Sequence, residues 1–510
     1  MATQVSTARS IILNVDGLRP DVLAEELRRG TVPNLLSILG GEDSAERLIP
    51  CVSAAPSITF CAQATIATGA HPGEHAIPGN DFFDRVGMKL GGGPRHFGFD
   101  VGDTYAVNDA VSVFKNRLAD RVLHSSTPTI YESLRDVGGE SLVAHSMYAR
   151  GAQRVIGPWL TDLARMTVLR GVLGMRRGEF DAHMLRQVDR ALERGSPDLM
   201  ALYFMGLDKE AHELGPITQA PYLREVLDPQ LGEFIRILKK RGIFDDSLVA
   251  LVSDHGQSAT PGDDLHSIRL GFPFDRELVH LFDALDLDVH DLPGEDPHVD
   301  AVVGLNGGIA HVYLRHRGGE WSAVPRFDAD VLRVAEAFSA MNLMGRFCSE
   351  LQGSIDLILV RDSAEGFTAP YKVYESGGTL RSVEEVFAER DQLRYPDAAA
   401  RIRLLNGPLS GDILLLAQAE RGVYFGKPGL RGVHGSLIAE DSETTLAVSV
   451  PGGTRSEQAW VRDRFVEIAS DRARREGRTR LSIADLTFTL RRMWDVSRGA
   501  RVVNVEWAVL

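Results

Sequence analysis

Three short apolar runs constrain this chain more than any other feature: Ser10–Val15 (Ser-Ile-Ile-Leu-Asn-Val), Asp198–Met205 (Asp-Leu-Met-Ala-Leu-Tyr-Phe-Met) and Ser247–Val252. A strand with one wet face alternates apolar and polar residues. A run without alternation reads as a strand covered on both faces, which is the habit of parallel sheets. Helical stretches lie between the runs: Pro20 opens one to about Arg29, Pro33 opens a second, and a longer one covers about Tyr222 to Arg241. Strand followed by helix, repeated, predicts an α/β protein with a doubly wound, mostly parallel sheet and helices on both faces. In such sheets ligands collect outside the carboxyl ends of the strands. The residues that follow the three runs are Asp16-Gly17, Gly206-Leu207-Asp208-Lys209-Glu210-Ala211-His212, and Ser253-Asp254-His255-Gly256.

At 510 residues the chain exceeds one simple core, so either two domains or one large core with an insertion is expected. The texture changes near His266. Leu281–Asp300 is acidic and proline-bearing, strands are expected at Ile309–Leu314 and Asp356–Val360, and a helix at Asp328–Met341. Residues 1–265 and 420–510 are therefore read as the core, and 266–420 as an α+β insertion packed beside the main sheet. In the core, a strand is expected at Leu142–Ala144 and another at Thr445–Val450, with helices at about Ser456–Arg475 and Ile483–Met493. Residues 81–130 read as loop-rich. Leu90-Gly-Gly-Gly-Pro94 lacks the Gly-Lys-Ser/Thr of a phosphate loop and reads as a surface loop. Trp159–Leu192 carries a helical pattern broken near Gly171 and Gly174, and Arg165, Arg170, Arg176 and Arg177 read as its solvated face.

A net charge of −14 and the lack of any long Lys/Arg block argue against a nucleic-acid polymer as partner. Three cysteines, Cys51, Cys61 and Cys348, make neither a disulfide framework nor a C-x-x-C knot. The first residues lack an apolar signal region and no run reaches membrane-spanning length, so a cytoplasmic chain without a membrane partner is expected. The sequence leaves the oligomeric state open.

Between the first two runs lies Pro56–Asn80, Pro-Ser-Ile-Thr-Phe-Cys-Ala-Gln-Ala-Thr-Ile-Ala-Thr-Gly-Ala-His-Pro-Gly-Glu-His-Ala-Ile-Pro-Gly-Asn. Cys61–Ala67 reads as a short helix closed by Gly69, which sets the Thr59 hydroxyl just ahead of a helix N-terminus, where unpaired amides and the helix dipole favour an anion. That hydroxyl reads as an N-cap or as a nucleophile. Asp208 and His212, four apart, share a helical face and can hold one ion; Asp254-His255 at a strand end can splay onto another. Carboxylate with imidazole suits Zn²⁺ or a similar first-row metal. Two ions need about seven ligands. Asp16, Thr59, Asp208, His212, Asp254 and His255 leave one place, and His434, in the glycine-flanked Arg431-Gly-Val-His-Gly435, is the candidate.

The order Asp, Thr, Asp-x-x-x-His, Asp-His-Gly, His-Gly resembles the alkaline phosphatase superfamily. Thr59-Phe60 followed by Thr68-Gly69-Ala70-His71-Pro72-Gly73-Glu74-His75 looks most like its nucleotide pyrophosphatase/phosphodiesterase branch. The resemblance covers about 1–265 and 420–510. It implies one zinc on Asp16, Asp254, His255 and the nucleophile Thr59, and another on Asp208, His212 and His434. It also implies that Asn80 touches a phosphoryl oxygen, and that Phe60 and Tyr203 stack a nucleotide base. The chain departs from the family at His75-Ala76, where His-Gly is usual, and at Met205-Gly206-Leu207, where acidic residues are common.

The implied activity is hydrolysis of phosphodiester or pyrophosphate bonds, with nucleotide-type small molecules favoured, through a phosphothreonine intermediate and two divalent ions (Zn²⁺, or Mn²⁺ or Fe). A neutral Asn80 leaves room for a second ester substituent, which favours diesters over monoesters. The alternatives are a phosphomonoesterase, a phosphonate or sulfate ester hydrolase on the same residues, and a metal-binding scaffold without catalysis. The scaffold has no need of a threonine at a helix start.

Overall fold

A computed structural model describes residues 9–99, 113–114, 117–166, 175–270, 277–290, 294–295 and 298–497. Arg170, Gly171 and Gly174 lie outside them.

The three apolar runs are adjacent strands, Arg9–Val15 in the middle with Leu199–Phe204 and Ser247–Val252 on either side, both parallel to it. Ser141–Ala144 and Arg154–Ile156 extend the sheet in parallel beyond Leu199–Phe204. Leu446–Ser449 closes the other edge antiparallel to Ser247–Val252. The runs do not alternate because each face meets its own layer of helices. Ile11, Leu13, Val15, Met200, Leu202, Val249 and Leu251 join one buried cluster; Ile12, Leu199, Ala201, Leu248, Ala250 and Val252 join another. The first is covered by helices Pro20–Arg28, Glu179–Ala191 and Asp228–Lys239, and the second by Thr59–Thr68, Arg455–Arg475 and Ala484–Ser497.

A second sheet has seven strands, all between Val289 and Ala417. Its hairpin Ala301–Asn306 and Ile309–Leu314 sits on the edge of a phenylalanine-rich cluster in which Phe60, Phe82, Phe83 and Tyr203 of the first part of the chain meet Val302 and Tyr313. The stretch 81–130 is more ordered than its sequence suggests. Asp81–Asp84 and Arg95–Gly98 pair antiparallel around the Leu90–Pro94 turn, since Phe82, Phe83 and Phe97 point into that cluster. Arg165 and Arg177 are not simply solvated: Arg165 pairs with Glu179, and Arg177 bridges Glu210 and Glu225, whereas Arg176 is exposed. The three cysteines are buried and free. No helix among the described residues is long and apolar enough to cross a membrane.

Candidate active site

The helix that carries Thr59 begins earlier than its composition suggests, running Thr59–Thr68 with Ile58 as an extended N-cap and Gly69 in the left-handed conformation as its stop. Thr59 is therefore the first helical residue, not the residue ahead of the helix, and its hydroxyl caps nothing. The usual capping task falls to a distant group, Asn80, whose Oδ1 accepts the Phe60 amide at 2.9 Å. As a first-turn residue Thr59 has no intrahelical acceptor for its own amide. Its Oγ1 is free of the backbone and lies 3.1 Å from His255 Nε2. All ten residues of the helix are buried, which is why its sequence shows no polar face.

Asp16 follows the central strand directly. The next residue, Gly17, has φ +68°, and a Cβ there would sit 2.9 Å from Asp208 Oδ1, so only glycine lets the two carboxylates approach. Asp208 is not at a strand end; it is the third residue of the helix Gly206–Leu214, with His212 one turn on. His212 Nε2 lies 3.1 Å from Asp208 Oδ2 and 3.1 Å from His434 Nε2, and His434 Nε2 lies 3.8 Å from Asp208 Oδ1. On the other side His255 Nε2 lies 3.2 Å from Asp16 Oδ1 and 3.9 Å from Asp254 Oδ1. The two groups touch, because the His255 and His434 rings stack with centroids 3.6 Å apart. Asp16, Asp254 and His255 offer ligand atoms close enough for one ion, and so do Asp208, His255 and His434.

The imidazole tautomers decide what this cluster can hold. His255 Nδ1 faces Gly256 O at 2.8 Å, His212 Nδ1 faces Gly432 O at 2.7 Å, and His434 Nδ1 faces Ser57 O at 3.1 Å. A carbonyl accepts only, so each Nδ1 carries the proton and each Nε2 turns a lone pair inward. Those lone pairs face carboxylate oxygens and each other at hydrogen-bond distance. Asp16 Oδ1 is buried and has no hydrogen-bond partner. Burial, together with the neighbouring Asp208 charge, pushes the Asp16 carboxyl well above its ordinary range, and burial with Asp16 does the same to Asp254. Burial opposes ionisation of Asp208 too, but His212 and the other imidazoles outweigh it and hold that carboxyl low. Burial above all holds the His434 imidazole well below its ordinary range, which keeps it neutral. Inward lone pairs and carboxylates with an orphaned buried oxygen are a donor set that fits divalent cations, which would remove the repulsion.

Several contributors carry no sequence signal. Gln257 donates to Asp208 Oδ1 at 3.1 Å, and Gln63 lies 3.4 Å from Asp254 Oδ2. Each could have been found only as a polar residue close to a ligand in sequence or one turn along the Thr59 helix. The two expected stacking rings are corrected. Phe60 is fully buried and already stacked on Phe99 at 4.1 Å, with Tyr148 edge-on at 5.5 Å. Tyr203 is 1% exposed, and its hydroxyl donates to Asp16 Oδ2. Both belong to the phenylalanine-rich core cluster that Phe82, Phe83, Phe97 and Phe99 also build. Phe60→Ala is thus expected to cost about 3–5 kcal/mol of stability. It should lower activity on substrates with and without a base by the same factor; thermal melts alongside paired rates check this.

The type I phosphodiesterase/nucleotide pyrophosphatase family profile matches residues 10–342, and so extends past 265 into the region read as an insertion. An uncharacterised pyrophosphatase/phosphodiesterase of Schizosaccharomyces pombe is 28% identical over 272 residues, 51% of this chain and 46% of that protein, so the chain spans about half the length of this curated relative. Among solved structures, an inactive variant of murine ectonucleotide pyrophosphatase/phosphodiesterase 5 in complex with AMP superposes with a TM-score of 0.54 at 14% identity, covering 96% of this chain and 95% of that one. The human ectonucleotide pyrophosphatase/phosphodiesterase 5 gives 0.51 at 14% identity, over 86% and 87%. These likenesses carry the fold, which is the alkaline-phosphatase-like α/β architecture. The chain belongs to the type I phosphodiesterase/nucleotide pyrophosphatase family.

Proposed function

We propose that the protein hydrolyses phosphodiester or pyrophosphate bonds of small, nucleotide-type substrates, with Thr59 as nucleophile and two divalent ions held by seven residues. Asp16, Asp254, His255 and Thr59 would hold one ion, and Asp208, His212 and His434 the other. Zn²⁺ suits this mixture of imidazole and carboxylate best. When bound, the ions would lower the pKa of the threonine hydroxyl and neutralise charge on the leaving oxygen. The observation that carries the reading is the Thr59 hydroxyl beside this carboxylate–imidazole cluster, 3.1 Å from His255 Nε2, on the first turn of a buried helix.

The residues of the chain divide the work. Thr59 Oγ1 attacks phosphorus opposite the leaving oxygen, the P–O bond to the leaving group breaks as the Oγ1–P bond forms, and a phosphothreonine results. Water then displaces Thr59 from phosphorus and restores the hydroxyl. The Thr59 amide and the Asn80 side chain would hold the non-bridging oxygens. Asn80 Oδ1 is taken by the Phe60 amide. Its NH₂ half, unpaired among the described residues, is the donor left for substrate. A neutral amide gives no reward for the second negative charge of a monoester. AMP in the murine relative supports a nucleotide as one half of the substrate. With Phe60 and Tyr203 in the core, the base must bind elsewhere. Residues 266–420 are proposed as the insertion subdomain that supplies part of the substrate side, and a cytoplasmic location is proposed for the chain as read.

The test is a rate panel on metal-replete protein. The kcat/KM for bis-p-nitrophenyl phosphate and p-nitrophenyl thymidine monophosphate is expected to exceed that for p-nitrophenyl phosphate, p-nitrophenyl sulfate and phenylphosphonate. Preference for the monoester would move the site to a phosphatase, and preference for the sulfate or phosphonate to the corresponding hydrolase. Elemental analysis of the same preparation should find about two divalent ions per chain.

A further inference from the structure

The second sheet reaches the active site through the turn Asn306-Gly307-Gly308 between the strands Ala301–Asn306 and Ile309–Leu314. Asn306 is fully buried. Its Oδ1 accepts the Asp81 amide at 2.9 Å, and its Nδ2 donates to Asp81 O at 2.8 Å and to Gly304 O at 3.3 Å. One carboxamide thus grips both backbone groups of the residue that follows Asn80. Leu305 adds a bond from its amide to Asp81 Oδ2 at 3.3 Å. The grip is close enough that a Cβ on Gly79 would collide with the Asn306 carboxamide.

The same turn touches the last metal-ligand candidate. The Gly308 amide donates to His434 O at 3.2 Å, and a Cβ on Gly307 would overlap that oxygen. Gly435 has φ +106°, and a Cβ there would strike Asn306 O. The contact is therefore backbone against backbone, through three glycines. From there the register passes on: His434 Nδ1 to Ser57 O, and Ser57 Oγ to Ser436 O at 2.8 Å, two residues ahead of Thr59.

We infer that Asn306 is a positioning residue for phosphoryl transfer: with its glycine turn it sets Asn80 and the His434 loop against Thr59, so that the second sheet is part of the catalytic apparatus. This rests on Asn80 as the phosphoryl-oxygen donor proposed above. Asn306 touches neither substrate nor metal, and acts through the Gly79–Asp81 backbone. A donor displaced by about 1 Å from its productive place costs on the order of 10²-fold in rate.

The test combines kinetics with hydrogen exchange. Asn306→Ala should lower kcat on bis-p-nitrophenyl phosphate about 10–100-fold with little change in KM and unchanged metal content. Gly79→Ala, which displaces the carboxamide without deleting it, should give the same split. In an Asn80→Ala background, Asn306→Ala should cost several-fold less than it does in the wild type, because one of the two groups it positions is already gone. Peptides covering 79–81 and 434–436 should exchange faster in Asn306→Ala, while Arg9–Val15 keeps its protection. Wild-type kcat in either folded variant, or a full additive loss in the Asn80→Ala background, overturns the inference. If the wild type cleaves no phosphate ester, the proposed function fails by itself. Exchange then decides the clamp, and unchanged protection at both segments overturns it.

Discussion

Thr59→Ala is expected to reduce turnover of every phosphate ester by about 10⁴-fold or more, while the protein keeps its fold and its ions. In the proposed mechanism the hydroxyl is the group that forms the covalent bond to phosphorus. Six other ligand candidates, Asp16, Asp208, His212, Asp254, His255 and His434, are untouched by the change, and the methyl of alanine fits the buried first turn. Metal content by elemental analysis should stay near the wild-type value. Thr59→Ser should restore a large part of the rate, since it keeps the oxygen and loses only a methyl. Rapid-quench trapping of phosphorylated wild type, absent from the alanine variant, gives a direct measure. Turnover within a few-fold of wild type in Thr59→Ala would mean that water attacks without a covalent stage.

Removal of divalent ions is expected to have the second largest effect, and on stability as well as rate. Asp16, Asp208 and Asp254 are buried around one another, and burial with mutual repulsion raises two of the three carboxyls. Without cations these charges are held together only by the rest of the fold. An ion that binds the native state alone stabilises it by about 2.7 kcal/mol at a concentration 100 times its Kd. Two such sites supply about 5 kcal/mol, a large part of the roughly 5–15 kcal/mol that holds a protein folded. Prolonged dialysis against a chelator should therefore abolish activity and lower Tm by several degrees, and re-addition of Zn²⁺ should restore both. Asp208→Asn should lose one ion and keep the other, since Asp208 belongs to the His212–His434 side. An active preparation that melts at the same temperature with and without chelator would count against the metal reading.

Much of the framework could be read from the chain because it depends on local pattern. The apolar runs at 10–15, 198–205 and 247–252 are legible as strands since both faces of each are covered, and Asp16 and Asp254 are conspicuous as the first charges beyond two of them. His212 could be placed with Asp208 by helical spacing alone. His434 could be nominated only because a count of ligands fell one short. What could not be read depends on contacts between distant segments. The helix start at Thr59 is fixed by Asn80, which holds the Phe60 amide from twenty residues further on, and no local cap announces it. Phe60 and Tyr203 look like binding aromatics in sequence and become core because Phe82, Phe83, Phe97 and Phe99 join them in one cluster. Asn306 had no signal at all: an asparagine before two glycines reads as a plain turn, and its task exists only once two sheets meet.

The closing strand Leu446–Ser449 gives the chain a timetable. Among the described residues it is the only antiparallel member of the main sheet, and it arrives nearly two hundred residues after the strand Ser247–Val252 that it covers. During synthesis the parallel strands can assemble first. Until the late segment emerges, Ser247–Val252 is an uncovered apolar edge, the kind of surface on which nascent chains stick to one another. His434 travels on the same late segment. The step that covers this edge is thus also the step that brings the last ligand candidate to the site, and a half-made chain carries both an open sheet edge and an incomplete ligand set.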